Sequence, residues 1–461
     1  MKRAPPARTL EQFALACGGR LEGADRTYTG VSTDTRTLTG GELFVALHGP
    51  SFNGNDFVEA AHKAGASGAV VDARQNTPLS QVVVANTQKA LEQAAQRWRQ
   101  SFSIPLVGVA GSNGKTTVKE MIATILGQAG NCLATLGNLN NHIGVPLTLF
   151  RLDETHRFAV VEMGANAPGE VAALVAIGQP TIGIITNAGA EHLEGFGSLE
   201  GAARAEGEMV AGLDSSATAI INADDEFAGL WRGMTRAKVV TFGLTPGADF
   251  TATDVRTEIG AEGFATRFVL VSPAGRAAIT LKLAGRHNVI NALGAAAAAI
   301  SAGVGLEQVV SGLGAVQAVK GRLQFKKTRH GAWLIDDSYN ANPSSVHAGI
   351  GVLAQLEGRK WLVFGQMGEL GDFADEAHTE IGTFARAHGV ERLFAVGKHA
   401  ELTVRSFGAG AEWFADTAAL SQAVDAVLAP DVRVLVKGSR SNRLERVVEA
   451  LGAAAPERKE G

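Results

Sequence analysis

The chain has 461 residues, room for about two to four domains at the usual ~100–200 residues each. Its 42 basic and 46 acidic residues leave a formal net charge of −4, with no basic run interleaved with aromatics, which argues against nucleic acid as a partner. Cys17 and Cys132 are too few for a disulfide framework or a cysteine metal site, and the longest small apolar stretch, Ala292 to Ala302, is too short to span a bilayer. Near the N-terminus, Pro5, Pro6, Arg8 and Glu11 interrupt the apolar core that a signal peptide needs, so a soluble cytoplasmic protein is expected.

Up to about Gln100 the segments are short. The pattern predicts a helix from Leu10 to Cys17, a strand in Gly41 to Leu47, a helix from Phe57 to Ala64, and strands in Gly68–Val71 and Gln81–Ala85. Residues 1–102 therefore read as a small α/β domain. Small polar residues are densest at Ser32-Thr33-Asp34-Thr35-Arg36, which suits either a loop gripping a polar ligand or an ordinary turn between strands.

A helix over Lys89 to Phe102 leads into an apolar strand, Ile104 to Ala110, where Pro105 fits only at the start. Gly111-Ser112-Asn113-Gly114-Lys115-Thr116-Thr117 then turns directly into a helix whose Val118, Met121, Ile122, Ile125 and Leu126 form one apolar stripe. Strand, glycine turn and helix in that order make a phosphate cradle: the turn aims successive N–H groups inward and the helix N-terminus adds partial positive charge. Lys115 is placed to reach terminal phosphates and Thr116 to offer its hydroxyl to Mg²⁺. The full Walker spacing asks for glycine at 109, where this chain has Val109, so the form is the shorter G-x-x-G-K-T.

Four further apolar runs, FAVVEMGAN, TIGIITNAG, TAIINADD and KVVTFG, each end in polar residues or glycine, as strands of a doubly wound parallel sheet do where they line a crevice. Glu162 closes the first of them, and a carboxylate inside an apolar strand end is suited to hold Mg²⁺ or to position a ligand. His192 follows the second by a few residues, where a loop histidine alone says little. Thr266–Val271 and Ala277–Leu283 alternate around Gly and Pro and predict an antiparallel flank. Gly285-Arg286-His287-Asn288 opens an Ala-rich helix to about Ser301, completing a central domain over 103–318.

Residues 319–461 repeat the α/β alternation without a phosphate loop, with strands in AWLID, KWLVFG, RLFAVG and VRVLVKG, and only the final PERKEG reads as disordered. Arg322, just past the junction, can reach a phosphate across a crevice with its planar fork. Asp336 to Pro343 again puts acidic and amide groups at a strand end, fitting either a ribose or amine contact or an Asx-rich turn.

Taken in order, GSNGKTT, TLGNLNNHIGVPLTL, VVEMGAN, ITNAGAEHL, GRHNVINALGAAAAA, KGRLQ, DDSYNANPSS, GQMGELG and VKGSRSNRLE closely resemble the Mur ligases of peptidoglycan synthesis over nearly the whole chain. The resemblance implies a three-domain ATP- and Mg²⁺-dependent ligase: an N-terminal domain that holds the UDP end of the sugar-peptide, a central domain that binds ATP and a C-terminal Rossmann-like domain that brings the incoming amine. Its expected reaction adds D-alanyl-D-alanine to UDP-MurNAc-tripeptide through an acyl phosphate, in a monomer with no membrane insertion. It further implies that Gly111 to Thr117, Asn288, Asn291, Arg322 and Asp337 bind ATP. Thr116, Glu162 and His192 would take metal, and Ser32, Thr33, Arg36, Asn138, Asn140 and Asn141 would bind the sugar-peptide. Lys115, Glu162, His192, Glu206 and Arg322 would form the catalytic set, with the domains closing from an open form over their ligands.

Two departures stand out. The family's D-G-H of the first domain is Asn53-Gly54-Asn55, and the position of its carbamylated lysine is Glu206. A glutamate there supplies negative charge directly for a second Mg²⁺; the alternative is an exposed helix residue. A lysine-adding sister activity remains open, whereas the D-N-P-R motif of the diaminopimelate-adding ligases is replaced by Ala341-Asn342-Pro343-Ser344. So does a nucleotide-binding regulatory module, which would bind ATP without dipeptide-dependent turnover.

Overall fold

The computed structural model describes residues 8–190, 193–260 and 263–452. His192 and the PERKEG tail lie outside them. Three α/β units follow one another, each built on its own sheet.

In the first, strands Gln81–Val83, Gly68–Val71, Leu43–Val45 and Val31–Ser32 lie side by side and parallel, with Arg20–Glu22 antiparallel at one edge. Because the four run the same way, their carboxyl ends, including Ser32 and the loop after it, share one edge of the sheet. The connecting helix runs from Thr87 to Gln100, two residues earlier at each end than the apolar pattern predicts. Asn86 explains the start: its side chain accepts from the Lys89 N–H at 2.8 Å and caps the helix there.

The central sheet is six-stranded and fully parallel, in the order Lys238–Phe242, Thr218–Asn222, Ile182–Ile185, Leu106–Ala110, Phe158–Glu162, Cys132–Ala134. Its middle strand begins at Leu106 rather than Ile104. Pro105 has no N–H for the ladder, and the Ile104 carbonyl accepts from the buried Arg99 guanidinium at 3.3 Å. Arg99 also donates to the Phe102 and Gly178 carbonyls, at 2.6 and 3.1 Å, pinning the first unit to the second. One apolar core runs through both, from Leu10 and Trp98 to Leu133 and Trp231. Large side chains buried this way are each worth about 1.5–3 kcal/mol.

The other face of the sheet is covered by Lys115–Gly127, the Ala-rich Arg286–Ser301 and Leu306–Ala315. Ala295 to Ala299 are fully buried; their small side chains allow the helix to lie close on its neighbours. The antiparallel segment is a separate three-stranded sheet, Thr251–Gly260, Gly263–Ser272 and Gly275–Leu281, touching the parallel one through a Phe242–Phe250 bridge.

The third sheet has the order Gln324–Lys327, Trp333–Asp337, Val432–Lys437, Arg359–Gly365, Arg392–Val396, Ala411–Phe414, parallel except for the first strand. Neither edge strand, Gln324–Lys327 nor Ala411–Phe414, stands out in the sequence, because each is only four residues long and partly exposed. The carboxyl end of Trp333–Asp337 and the start of helix Pro343–Ala354 face the phosphate loop of the central unit.

Candidate active site

A cavity of about 640 Å³ lies where the central and third units meet. From the central unit it is lined by Ser112 to Thr117, Asn138, Asn140, Asn141, Glu162, Asn288 and Asn291, and from the third by Arg322 and Asp337. Six groups of residues spread over more than 200 positions are thus brought to one place. Ser32, Thr33, Arg36 and Glu206 are not part of its wall.

The phosphate loop is shaped from below. Gly111 has φ +123°, and a Cβ there would lie 2.1 Å from Thr186 Oγ1, so both conformation and space require glycine. Its N–H donates to Glu206 Oε2 at 2.6 Å. Lys115 follows Gly114 at the helix start, and its ammonium donates back to the Gly111 and Ser112 carbonyls at 2.5 and 3.1 Å, inside the curl of the loop. The loop thus holds a fixed positive charge ringed by main-chain groups.

Glu162 is buried at its strand end. Its N–H donates to Thr135 Oγ1 at 3.0 Å and its Oε1 accepts from Asn140 Nδ2 at 2.9 Å. Beneath it the buried Lys119 pairs with Glu120 and donates to the Thr135 carbonyl at 3.0 Å. Glu162 Oε2 is buried without a hydrogen-bond partner. A carboxylate oxygen left unsatisfied in a buried place is costly unless something polar meets it, and an oxygen-seeking cation fits that demand. Among the described residues no group of three or more His, Cys, Asp and Glu could hold a metal. Thr116, a further candidate ligand among the described residues, lines the same cavity.

Arg322 crosses to the central unit: Nη2 donates to Thr116 Oγ1 at 3.1 Å, and the guanidinium lies 4.6 Å over the Tyr339 ring. Asp337 accepts from the Leu323 N–H at 3.2 Å and is ion-paired with the buried Lys437 at 2.6 Å. Asn288 donates to the Ala284 carbonyl at 2.7 Å and accepts from Asn291 Nδ2 at 3.2 Å, which fixes both amides at the helix start. Beside them burial pushes the His287 imidazole down to about 4; Asp337 opposes the shift and Lys437 adds to it. Lys437 carries the same sequence signal that marks Glu162, a charge closing an apolar strand, and is a functional residue beyond those the motifs single out. Tyr339 and His287 carry no such signal.

Glu206 corrects the alternative of an exposed helix position. It is buried within Leu199–Ala211, and its carboxylate meets the loop's main chain rather than the cavity. In the first unit Ser32 and Arg36 are engaged locally: Ser32 Oγ bonds the Asp34 main chain at 3.2 Å, and Arg36 holds the Asp34 carboxyl down to about 2. Asn55 donates to Asp72 at 2.5 Å, and Asp72 meets His48 at 2.7 Å, so the Asn-Gly-Asn departure builds a polar cluster at the same sheet edge.

A phosphate loop facing an arginine and a carboxylate from a second α/β unit defines an ATP-dependent ligase architecture, and the comparisons give it a family. Residues 27–104 match "Mur ligase family, catalytic domain", 109–299 "Mur ligase middle domain" and 321–440 "Mur ligase, glutamate ligase domain"; the chain belongs to the Mur ligase family. Among its relatives, UDP-N-acetylmuramoyl-tripeptide--D-alanyl-D-alanine ligase of Escherichia coli (strain K12) is 42% identical over 448 residues, 96% of this chain and 98% of that one. The Bacillus subtilis (strain 168) protein of the same name is 34% identical over 96% and 98%. MurF from Acinetobacter baumannii superimposes with a TM-score of 0.90 at 32% identity over 97% of this chain and 99% of that one. MurF of Thermotoga maritima, solved in complex with ADP, gives 0.81 at 25% identity over 92% and 96%.

Proposed function

We infer that this chain is an ATP-dependent ligase joining D-alanyl-D-alanine to UDP-N-acetylmuramoyl-tripeptide, a step of peptidoglycan synthesis. The observation that carries the reading is the single cavity shared by Lys115, Glu162 and Arg322 in a chain alike end to end to ligases of that name.

A free carboxylate has no leaving group that an amine can displace, so it must be activated first. The tripeptide carboxylate oxygen bonds to the γ-phosphorus of ATP, the bond to the bridging oxygen breaks, and ADP departs, leaving an acyl phosphate. The dipeptide amine then attacks the acyl carbon, phosphate leaves with the carbon–oxygen bond's electrons, and the amine's proton is lost to give the amide. The loop N–H groups and Lys115 hold the phosphates and offset their charge, and Arg322 reaches the transferring group from the other side. Asn288, Asn291 and Asp337 serve the nucleoside, and Asn138, Asn140 and Asn141 orient the sugar-peptide end. Thr116 and Glu162 would hold Mg²⁺, which neutralises phosphate charge when bound. The unmatched Glu162 Oε2 supports that assignment. Ser32, Thr33 and Arg36 are assigned to the uridine end, with residues 1–102, 103–318 and 319–461 as sugar-peptide, ATP and amine domains of a cytoplasmic monomer. Glu206 is assigned to shaping the loop at Gly111.

Phosphate release from ATP with UDP-MurNAc-tripeptide, measured with and without D-alanyl-D-alanine, tests the reading. Sustained turnover should require the dipeptide; nucleotide binding without dipeptide-dependent turnover would instead mark a regulatory module.

A further inference from the structure

The main chain of Asn113 in the phosphate loop is satisfied from within the central unit. The Asn113 N–H donates to Asn187 Oδ1 at 3.0 Å, and its carbonyl accepts from Thr186 Oγ1 at 2.6 Å and Asn187 Nδ2 at 3.0 Å. The Asn113 side chain is therefore not needed to hold the loop, and it points the other way. Its Nδ2 donates to Ser344 Oγ at 3.0 Å, Ser344 Oγ donates to Asn342 Oδ1 at 3.1 Å, and Asn342 Nδ2 donates to Asn113 Oδ1 at 2.8 Å. The three groups close a ring in which every donor points the same way round, an arrangement whose bonds reinforce one another. Two of the three lie in the cap of helix Pro343–Ala354 of the third unit, where Asn342 Oδ1 also accepts from the Ser345 N–H at 2.9 Å. A second feature guards the contact. A Cβ on Gly189 would lie 2.9 Å from Asn113 Nδ2 and 3.2 Å from Ser344 Oγ, so a side chain there would crowd the ring.

We propose that Asn113 and Ser344 are positioning residues: the ring sets the register of the third unit on the phosphate loop, so that the amine carried by that unit meets the acyl phosphate formed at the loop. The proposal rests on the ligase reading and adds to it a coupling between the ATP site and amine delivery. Ser344 is not assigned to substrate or metal, and its loss should leave activation untouched while spoiling delivery. Losing the Ser344 hydroxyl removes two links of the ring at once, enough for about a tenfold effect at ordinary hydrogen-bond strengths.

The test separates the two half-reactions in the full chain. Activation is read by trapping the acyl phosphate with hydroxylamine in place of the dipeptide, and delivery by ligation across a D-alanyl-D-alanine titration. Ser344→Ala should trap at a rate within about twofold of the parent while its KM for the dipeptide rises about tenfold. Ser344→Thr, which keeps the hydroxyl, should restore the KM. In a double-mutant cycle, adding Ser344→Ala to Asn113→Ala should raise the dipeptide KM no further, because one ring is broken once. An unchanged dipeptide KM in Ser344→Ala, or KM effects that multiply in the double variant, would overturn the proposal. A parent protein that ligates nothing would overturn the ligase reading itself, a result visible before any variant is made.

Discussion

At the scale of single residues, the arrangement concentrates cationic charge where the transferring phosphoryl group must sit. Lys115 is held on the Gly111 and Ser112 carbonyls within the loop, so Lys115→Ala should leave a folded protein with turnover down by at least about a hundredfold, the usual cost of losing a transition-state electrostatic contact. Turnover near the parent's, measured by phosphate release, would remove the loop from the mechanism. Glu206 acts one layer deeper. Its bond to the Gly111 N–H is charge-assisted, worth about 1.5–3 kcal/mol. Glu206→Ala should therefore weaken nucleotide affinity about tenfold or more, whereas Glu206→Gln keeps an acceptor and should recover most of it. Equal losses in both variants by calorimetric titration would show that the charge, not the acceptor, is what the loop requires. Because glutamate is already anionic, ligation should also be indifferent to removal of bicarbonate.

Among the elements, the helix Arg286–Ser301 carries the feature that responds to pH. His287 has a folded pKa near 4 against an ordinary 6.5, so between those values the unfolded chain takes up a proton that the folded one refuses. Stability from this group therefore falls as pH drops from about 6.5 toward 4 and is unaffected above that window. In urea melts of the ligand-free protein, His287→Asn should gain on the parent as pH is lowered through that range; a pH-independent difference would contradict the lowered pKa of this half-buried ring at the cavity wall. The same element shows what a sequence can display. Its Ala run and the stripe Val118–Leu126 announce helices through repetition, and the phosphate turn through glycines at fixed places. Cys132–Ala134, Gln324–Lys327 and Ala411–Phe414 are strands only because neighbours supply their hydrogen bonds, and nothing local marks them. Glu162 was readable because charge at an apolar strand end is anomalous. The burial of Glu206 was not, since its partner Gly111 lies 95 residues away and α-helical spacing alone cannot say which face meets a loop.

For the whole molecule, the central and third units are joined at the cavity, with Arg322 on Thr116, Asn342 on Asn113 and Asp337 in the cavity wall. Beside these polar contacts Phe264 of the central unit packs on Phe325 of the third, ring centroids 4.4 Å apart, and relative motion is the ordinary expectation for domains of one chain. Adding an ATP analogue and sugar-peptide should therefore shift the X-ray scattering profile toward a more compact particle, and no change would count against ligand-driven closure. The route of the oxygen tests the central claim most directly. Activation moves one oxygen of the tripeptide's terminal carboxylate onto phosphorus. Ligation of UDP-MurNAc-tripeptide labelled with ¹⁸O in that carboxylate should thus release inorganic phosphate carrying one ¹⁸O atom for each amide formed. Amide formation with unlabelled phosphate would contradict an acyl phosphate in this cavity.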